Sequence, residues 1–143
     1  MMKAVIDTNI LVSALLSPSG SPAKVIDHML NGNVIMCYDS RIIVEYQEVL
    51  LRPKFGFEKK AVRQLIDFIV HSGISVVPIP ILDAFEDEDD KMFYEVAKTT
   101  KAYLVTGNAK HFPGESIVIA PQEFLSIVDN SLSDTGTGEL TTV

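Results

Sequence analysis

Three acidic positions lie far apart in the chain, each beside an element that a parallel α/β sheet would bring together. Asp7 ends the apolar stretch Ala4-Val5-Ile6, Glu45 lies in a helical pattern, and residues 87–90 form an acidic run that opens another helix. Carboxylates that converge repel one another, so a shared site of this kind needs a counter-charge. Hard divalent cations such as Mg²⁺ and Mn²⁺ prefer oxygen ligands. We therefore predict a Mg²⁺ or Mn²⁺ site built from these acids.

The first two acids each have a plainer interpretation. Asp7 is the first polar residue after the first predicted strand, and ligands bind at the carboxyl ends of parallel strands. Alternatively, Asp7 only caps the next helix, a role that Thr8 and Asn9 could also fill. Glu45 falls at the edge of the apolar stripe of its helix, and a solvated surface glutamate is the alternative for it. Taken singly, neither residue decides between a ligand and a bystander.

The third acidic position is a run in which Asp83 to Asp90 holds six acids in eight positions, more than one helix start needs. Asp90 is the member best fixed in direction, so we predict it as a ligand, with Asp87 one turn earlier as a secondary ligand. The alternative is that these acids serve only the helix dipole and solvent. After a later strand, Thr106 and Asn108 offer oxygens to a metal or its waters, whereas an ordinary tight turn is the alternative there.

Alternating strand and helix signals must position these residues. The pattern predicts strands at 3–6, 34–38, 75–77, 102–105 and 117–119. It predicts helices at 9–16, from 22 to the Asn31-Gly32 stop with Ser21 as N-cap, from an Asp39 or Ser40 cap to before Pro53, at 58–72 with Gly73 as C′ residue, at 91–99 and at 121–128. Short strands alternating with helices indicate an α/β fold with a central parallel sheet of about five strands covered on both faces. We predict one domain at 1–129 and a flexible tail at 130–143.

Composition limits the class of protein. The chain has 143 residues, 47 % of them apolar, with a formal net charge of −7, which argues against a structural DNA-binding protein but not against a metal-dependent nuclease. No apolar run approaches the roughly 18 residues of a membrane span, and we expect no signal peptide. The single cysteine, Cys37, cannot form an internal disulfide, so we predict a cytoplasmic protein with Cys37 as a core residue.

Taken together, these residues resemble a known family. The motifs are, in chain order, Asp7-Thr8-Asn9, Glu45-Tyr46-x-x-Val49-Leu50 with Arg52-Pro53-Lys54-Phe55 behind it, Asp87-x-x-Asp90-x-x-Phe93, and Thr106-Gly107-Asn108. Each motif is short, but their order, spacing and strand-end placement resemble the PIN domain over roughly residues 3 to 128. More narrowly, they resemble the branch described as toxin components of toxin–antitoxin systems.

The resemblance implies a three-layer fold and a metal-dependent ribonuclease. The family's three acids fall on Asp7, Glu45 and Asp90, and many members carry a fourth aspartate where this chain has Asn108. Thr106 matches a hydroxyl residue that often supports that corner. The resemblance also implies an antitoxin partner and a homodimer.

Six polar or basic residues are predicted to bind an RNA substrate: Thr8, Asn9, Arg52, Lys54, Thr106 and Lys110. Surface solvation is the alternative for the three basic residues among them. The histidines have no zinc-like spacing, and we interpret His111, near Asn108, as a bystander.

Two other functions compete with the nuclease. One is a catalytically weak or inactive member of the same fold that acts as a binding or assembly module, favoured by Asn108 and the negative net charge. The other is a phosphotransferase with Asp7 as nucleophile. That chemistry usually places a second aspartate two positions on, where this chain has Asn9.

Overall fold

A computed structural model describes residues 2–82, 85 and 87–142, with no description of the side chains of residues 134–142. Asp83 and Glu86 of the predicted acidic run lie outside the described residues. The helices and strands are, in chain order, β1 (Met2–Ile6), α1 (Thr8–Leu16), α2 (Ser21–Leu30), β2 (Val34–Tyr38), α3 (Ser40–Leu50), a 3₁₀ turn (Pro53–Phe55), α4 (Lys59–Ser72), β3 (Ile74–Ser75), α5 (Glu88–Thr100), β4 (Tyr103–Val105), a 3₁₀ turn (Ala109–His111), β5 (Val118–Ile119) and α6 (Pro121–Thr142).

The five strands form one parallel sheet in the order β3-β2-β1-β4-β5, flanked by the helices, which confirms the predicted fold class. Ala4 of β1 is in register with Met36 of β2 on one side and Tyr103 of β4 on the other. The first strand therefore lies in the middle of the sheet. The carboxyl ends of β2, β1 and β4 consequently adjoin at one edge, where polar residues from distant parts of the sequence can meet.

Helices cover the sheet because the central strand carries apolar residues on both faces. Ala4, Val5 and Ile6 are all buried, as expected for a parallel strand packed on both sides. Helix α2 packs against both α1 and α6, and helix α3 packs against α4 and α5. Helix α5 lies on β1, β2 and β4. Cys37 is buried in β2, which confirms the prediction that it is a core residue.

Three details of the predicted element boundaries were wrong. Helix α2 begins at Ser21 with Gly20 as its N-cap, so Ser21 is inside the helix. Gly73 has an extended backbone rather than the left-handed one of a C′ glycine. A Cβ at Gly73 would lie 2.6 Å from the carbonyl oxygen of Met36, so glycine is needed for close approach to β2. Strand β3 is Ile74–Ser75 rather than 75–77.

The last two helices are longer than the sequence pattern indicates. Helix α5 begins at Glu88 rather than 91, so Glu88, Asp89 and Asp90 form its first turn, where the helix dipole favours acids. Helix α6 runs past residue 128 to Thr142, and the separate behaviour of residues 130–143 as a flexible tail stays a prediction. Among the described residues, no helix is both long enough and apolar enough to cross a membrane.

Candidate metal centre

Asp7 is held at the carboxyl end of β1 by the neighbouring strand. Its backbone N–H donates to the carbonyl of Val105 at 3.0 Å, which extends the β1–β4 ladder by one residue. The Thr106 hydroxyl donates to Asp7 Oδ2 at 2.7 Å, and both side chains are buried. Asp7 occupies the N-cap position of α1 but makes no side-chain hydrogen bond that caps the helix. Its carboxylate is therefore tied to the residue that follows β4, through the Thr106 hydroxyl.

Glu45 is brought to the same edge by the packing of α3 on β1. The next residue, Tyr46, is fully buried, and its hydroxyl donates to the carbonyl of Ile6 at the end of β1. The hydroxyl of Thr8 donates to Glu45 Oε2, so Glu45 lies beside the residue that follows Asp7. Glu45 itself is half-buried. Thr8 and Thr106 thus each hold one of the two acids.

Asp90 reaches the site from the first turn of α5. Asp87 is the N-cap of this helix, its carboxylate accepts from the N–H of Asp89 at 2.9 Å, and its side chain is exposed. Asp90 is half-buried, and its Oδ2 lies 3.7 Å from Nδ1 of His111. The predicted primary ligand is thus half-buried next to a histidine, while the predicted secondary ligand caps the helix.

The electrostatics show that these three acids share one environment. Burial is the largest cause that raises the pKa of Asp7, Glu45 and Asp90, and the charge of Asp7 raises the pKa of the other two further. Hydrogen bonds from Thr106 to Asp7 and from Thr8 to Glu45 act in the opposite direction. We call Asp7, Glu45 and Asp90 the carboxylate cluster. In the described part of the chain, none of its members forms an ion pair with Lys or Arg.

The donor set of the carboxylate cluster fits a hard divalent cation. The three carboxylates disfavour one another's charge, and in the described part of the chain their one ion pair is that of Asp90 with His111. Carboxylates in such a setting are the ligands that Mg²⁺ or Mn²⁺ prefers. Within the described residues, however, no three His, Cys, Asp or Glu side chains lie close enough together to hold a metal as they stand. Joint binding by all three acids therefore requires their side chains to move toward one another.

The other predicted site residues lie at varying distances from this cluster. The N–H of Asn108 donates to the Thr106 hydroxyl at 3.0 Å, which places Asn108 one contact from Asp7. Asn9 is exposed at the start of α1.

The three basic residues that were predicted to bind RNA are exposed. Arg52 pairs with Glu48 at 3.3 Å and Lys54 lies over the ring of Phe55. Among the described residues, no hydrogen bond or ion pair joins Arg52, Lys54 or Lys110 to the carboxylate cluster. The role of all three in substrate binding stays a prediction.

A second charged group at the same edge was missed by the sequence reasoning. Arg41 donates through Nε and Nη2 to Asp39 Oδ2, at 2.8 and 2.6 Å, and through Nη1 to Glu95 Oε1 at 3.1 Å. The N–H of Ile42 donates to Asp39 Oδ1 and the N–H of Ile81 donates to Glu95 Oε2. Asp39 and Glu95 are buried, while the Arg41 side chain is 49 % exposed. We call Asp39, Arg41 and Glu95 the Arg41 cluster.

Two signals could have revealed these missed residues. Asp39 follows strand β2 just as Asp7 follows β1, and Glu95 lies between the apolar residues of α5. His111 was interpreted as a bystander, but it lies near Asp90, and its charge lowers the pKa of both Asp7 and Asp90.

Comparison with known proteins agrees with the fold. The chain is 34 % identical over 113 residues to the uncharacterized protein MJ1680 of Methanocaldococcus jannaschii, covering 75 % of this chain and 71 % of that protein. A chain in the structure of VapBC2 from Rickettsia felis bound to a DNA fragment from their promoter superposes with a TM-score of 0.55 and 19 % identity, covering 83 % of this chain and 97 % of that one. This second likeness shows the fold. The sequence profile of the PIN domain matches residues 3–110, well over half of the chain, and the protein therefore belongs to the PIN domain family.

Proposed function

We propose that this protein is a metal-dependent endoribonuclease that hydrolyses phosphodiester bonds of RNA. The observation that carries the proposal is the carboxylate cluster, in which Asp7, Glu45 and Asp90 share one edge of the sheet without a Lys or Arg ion pair among the described residues. The ligands would be these three acids, with Asp87 and Asn108 as further oxygen donors. The chemistry that a bound Mg²⁺ or Mn²⁺ supplies is activation of water and stabilisation of charge on the phosphoryl group.

The chain's own residues would fix the ligands and bind the substrate. The hydroxyls of Thr106 and Thr8 hold the carboxylates of Asp7 and Glu45, which limits the directions in which these acids can present their oxygens. His111 lies beside Asp90, with its Nδ1 3.7 Å from the Oδ2 of that acid.

Exposed basic and polar side chains would position the RNA. Arg52 and Lys54, just after α3, and Lys110, beside His111, would contact backbone phosphates, which register the strand without reading its sequence. Asn9 is exposed at the rim, where an amide can hydrogen-bond the substrate.

We further propose that the protein is the toxin of a toxin–antitoxin pair, with an antitoxin protein as partner, and that it works as a homodimer in the cytoplasm. The motifs that resemble the toxin branch of the PIN family support this assignment, and the fold shared with a VapBC2 chain is consistent with it.

A second candidate function is a binding or assembly module with weak or no catalysis. Two observations favour it: Asn108 stands where many family members carry an acid, and the three acids do not lie at metal-binding distance from one another. The two functions differ in whether RNA is cut when a divalent cation is added.

The test is cleavage of a labelled single-stranded RNA by the purified full chain, with Mg²⁺, with Mn²⁺ and with a chelator. We expect cleavage only with a divalent cation, and loss of cleavage in Asp7→Asn, which keeps an acceptor for Thr106. Lys98→Gln is the matched control that keeps activity. Lys98 lies elsewhere on α5, and the change removes its ion pair with Glu115. Cation-independent cleavage, or equal cleavage by Asp7→Asn, would reject the proposal, and RNA binding without cleavage would favour the module. Single-stranded DNA of the same sequence separates a ribonuclease from a general nuclease.

A further inference from the structure

The carboxylate cluster takes acids from two different helices, and no covalent bond between these helices fixes the distance that separates them. Glu45 lies on α3 and Asp90 on α5, and the charges of these acids disfavour one another. A cation that binds both acids needs the helices at one spacing. Some contact between α3 and α5 must therefore resist that repulsion.

The Arg41 cluster contains such a contact. Arg41 precedes Glu45 by four residues, which places both on one side of α3, one turn apart. Glu95 follows Asp90 by five residues on α5. The 3.1 Å bond from Arg41 Nη1 to Glu95 Oε1 thus joins the two helices about one turn from Glu45 on α3 and about one and a half turns from Asp90 on α5.

The surroundings fix this bridge in direction. Asp39 accepts from both Nε and Nη2 of Arg41, so the planar guanidinium is held in one orientation. The other oxygen of Glu95 accepts from the N–H of Ile81 at 2.8 Å, and the Glu95 side chain is buried. Neither end of the bridge is free to swing away as an exposed surface pair would be.

We propose that Arg41 is a positioning residue: its ion pair with Glu95 holds α3 against α5 so that Glu45 and Asp90 can bind one divalent cation. The inference rests on the proposed function and adds a determinant of metal affinity that touches neither metal nor substrate. It predicts the direction in which the affinity for the cation changes when Arg41 is replaced. Removal of a positive charge near a cation site should tighten cation binding if charge alone acts. Loss of a positioning contact should weaken it.

The experiment is a calorimetric titration of the full chain with Mn²⁺. Arg41→Gln should weaken Mn²⁺ binding about tenfold, in the range that loss of an outer contact costs other metal sites. Arg41→Lys keeps the charge but lacks the rigid planar fork whose three nitrogens bond Asp39 and Glu95 in fixed directions, so it should show weakened binding too. This second variant also serves if Arg41→Gln does not fold. Lys98→Gln, which breaks an exposed pair between α5 and Glu115, should bind Mn²⁺ like the wild type.

Cleavage gives a second readout that separates positioning from stability. Because all three carboxylates remain in Arg41→Gln, a higher Mn²⁺ concentration should restore its cleavage rate. Wild-type affinity, or tighter binding, in a folded Arg41 variant would overturn the positioning role while leaving the metal centre intact. A wild-type chain that binds no Mn²⁺ would instead overturn the proposed metal centre, and this inference with it.

Discussion

The two charged groups at the carboxyl edge of the sheet are built from the same parts. Each takes one aspartate from the end of a parallel strand, one residue from α3 and one from α5. In the carboxylate cluster these residues are Asp7, Glu45 and Asp90, and in the Arg41 cluster they are Asp39, Arg41 and Glu95. The two clusters differ in the charge of the residue from α3, which is an acid in the carboxylate cluster and an arginine in the Arg41 cluster.

That single difference changes what each group can do. In the Arg41 cluster, burial opposes the charge of Arg41, but hydrogen bonds and charge attraction from Asp39 and Glu95 outweigh it and raise the pKa of the guanidinium. Each of its two carboxylates has a cationic partner within the protein. In the carboxylate cluster, burial raises the pKa values of all three acids, and repulsion raises those of Glu45 and Asp90 further. Among the described residues the one ion pair of these acids is that of Asp90 with His111, so most of the matching charge must come from outside. Charge balance, rather than position in the fold, therefore distinguishes a candidate site from a structural ion pair.

The largest effect should come from deleting a charge of the carboxylate cluster on α5. Asp90→Asn should lose cleavage by more than the ~10–100-fold that loss of an outer contact costs, and added Mn²⁺ should not restore it. Asp87 still caps α5, so circular dichroism should show an unchanged fold. Rescue of Asp90→Asn by Mn²⁺ would mean that Asp90 is not a ligand and that the two clusters differ less than we infer.

A second effect concerns stability, with opposite signs in the two clusters. An acid whose pKa is raised in the folded protein gives stability that is present below its unfolded pKa and lost as pH rises through the folded pKa. Asp7 is such an acid, and asparagine does not titrate. The free energy of unfolding of Asp7→Asn should therefore rise relative to wild type as pH increases from about 4 toward and through that raised pKa, by ~1.4 kcal/mol for each unit of the raise.

Asp39→Asn is the matched change in the Arg41 cluster. Asparagine can still cap α3, but it leaves Arg41 without one carboxylate and should destabilise the protein near neutral pH by about 1–2 kcal/mol, since Arg41 is half-exposed. Urea unfolding of the wild type and both variants between pH 4 and 8, in the presence of a chelator, measures both effects. The same sign for both variants at neutral pH would contradict the comparison.

A smaller effect is expected at the rim of the carboxylate cluster. Asn108→Asp adds a charge one contact away from Asp7 and should tighten Mn²⁺ binding several-fold, while lowering the stability of the metal-free protein through repulsion. Calorimetry and thermal unfolding of the two proteins would check this. Unchanged or weaker Mn²⁺ binding would place position 108 outside the coordination shell.

The smallest effect should come from the exposed basic residues. Arg52→Gln combined with Lys54→Gln should raise KM for RNA a few-fold and leave Mn²⁺ affinity unchanged, because exposed phosphate contacts contribute modestly and are screened by salt. Steady-state kinetics at two salt concentrations would show the difference between variant and wild type shrinking as salt rises. A fall in kcat instead would mean that these residues act at the cluster itself.

The sequence could predict those features of the fold and the site that depend on a local pattern of residues. Alternating apolar strands and helices predicted the parallel sheet, and strand ends predicted that Asp7 and Thr106 would lie at one edge, where they are hydrogen-bonded. The predicted start of α5 was too late because a run of acids is typical of a loop. In the structure these acids form the first turn of α5, where the helix dipole stabilises them. The Arg41–Glu95 pair joins residues 54 positions apart and leaves no periodic signal. Its prediction would need the packing of α3 on α5 in advance.

The order of the strands has a consequence for when activity can begin during synthesis. β1 is made first but lies in the middle of the sheet, and Asp7 receives its hydrogen bond from Thr106, 99 residues later in the chain. A growing chain on the ribosome therefore carries Asp7 long before it contains Asp90 or Thr106. Fragments released early would lack the complete site. The proposed ribonuclease would therefore stay inactive until most of its chain has been translated.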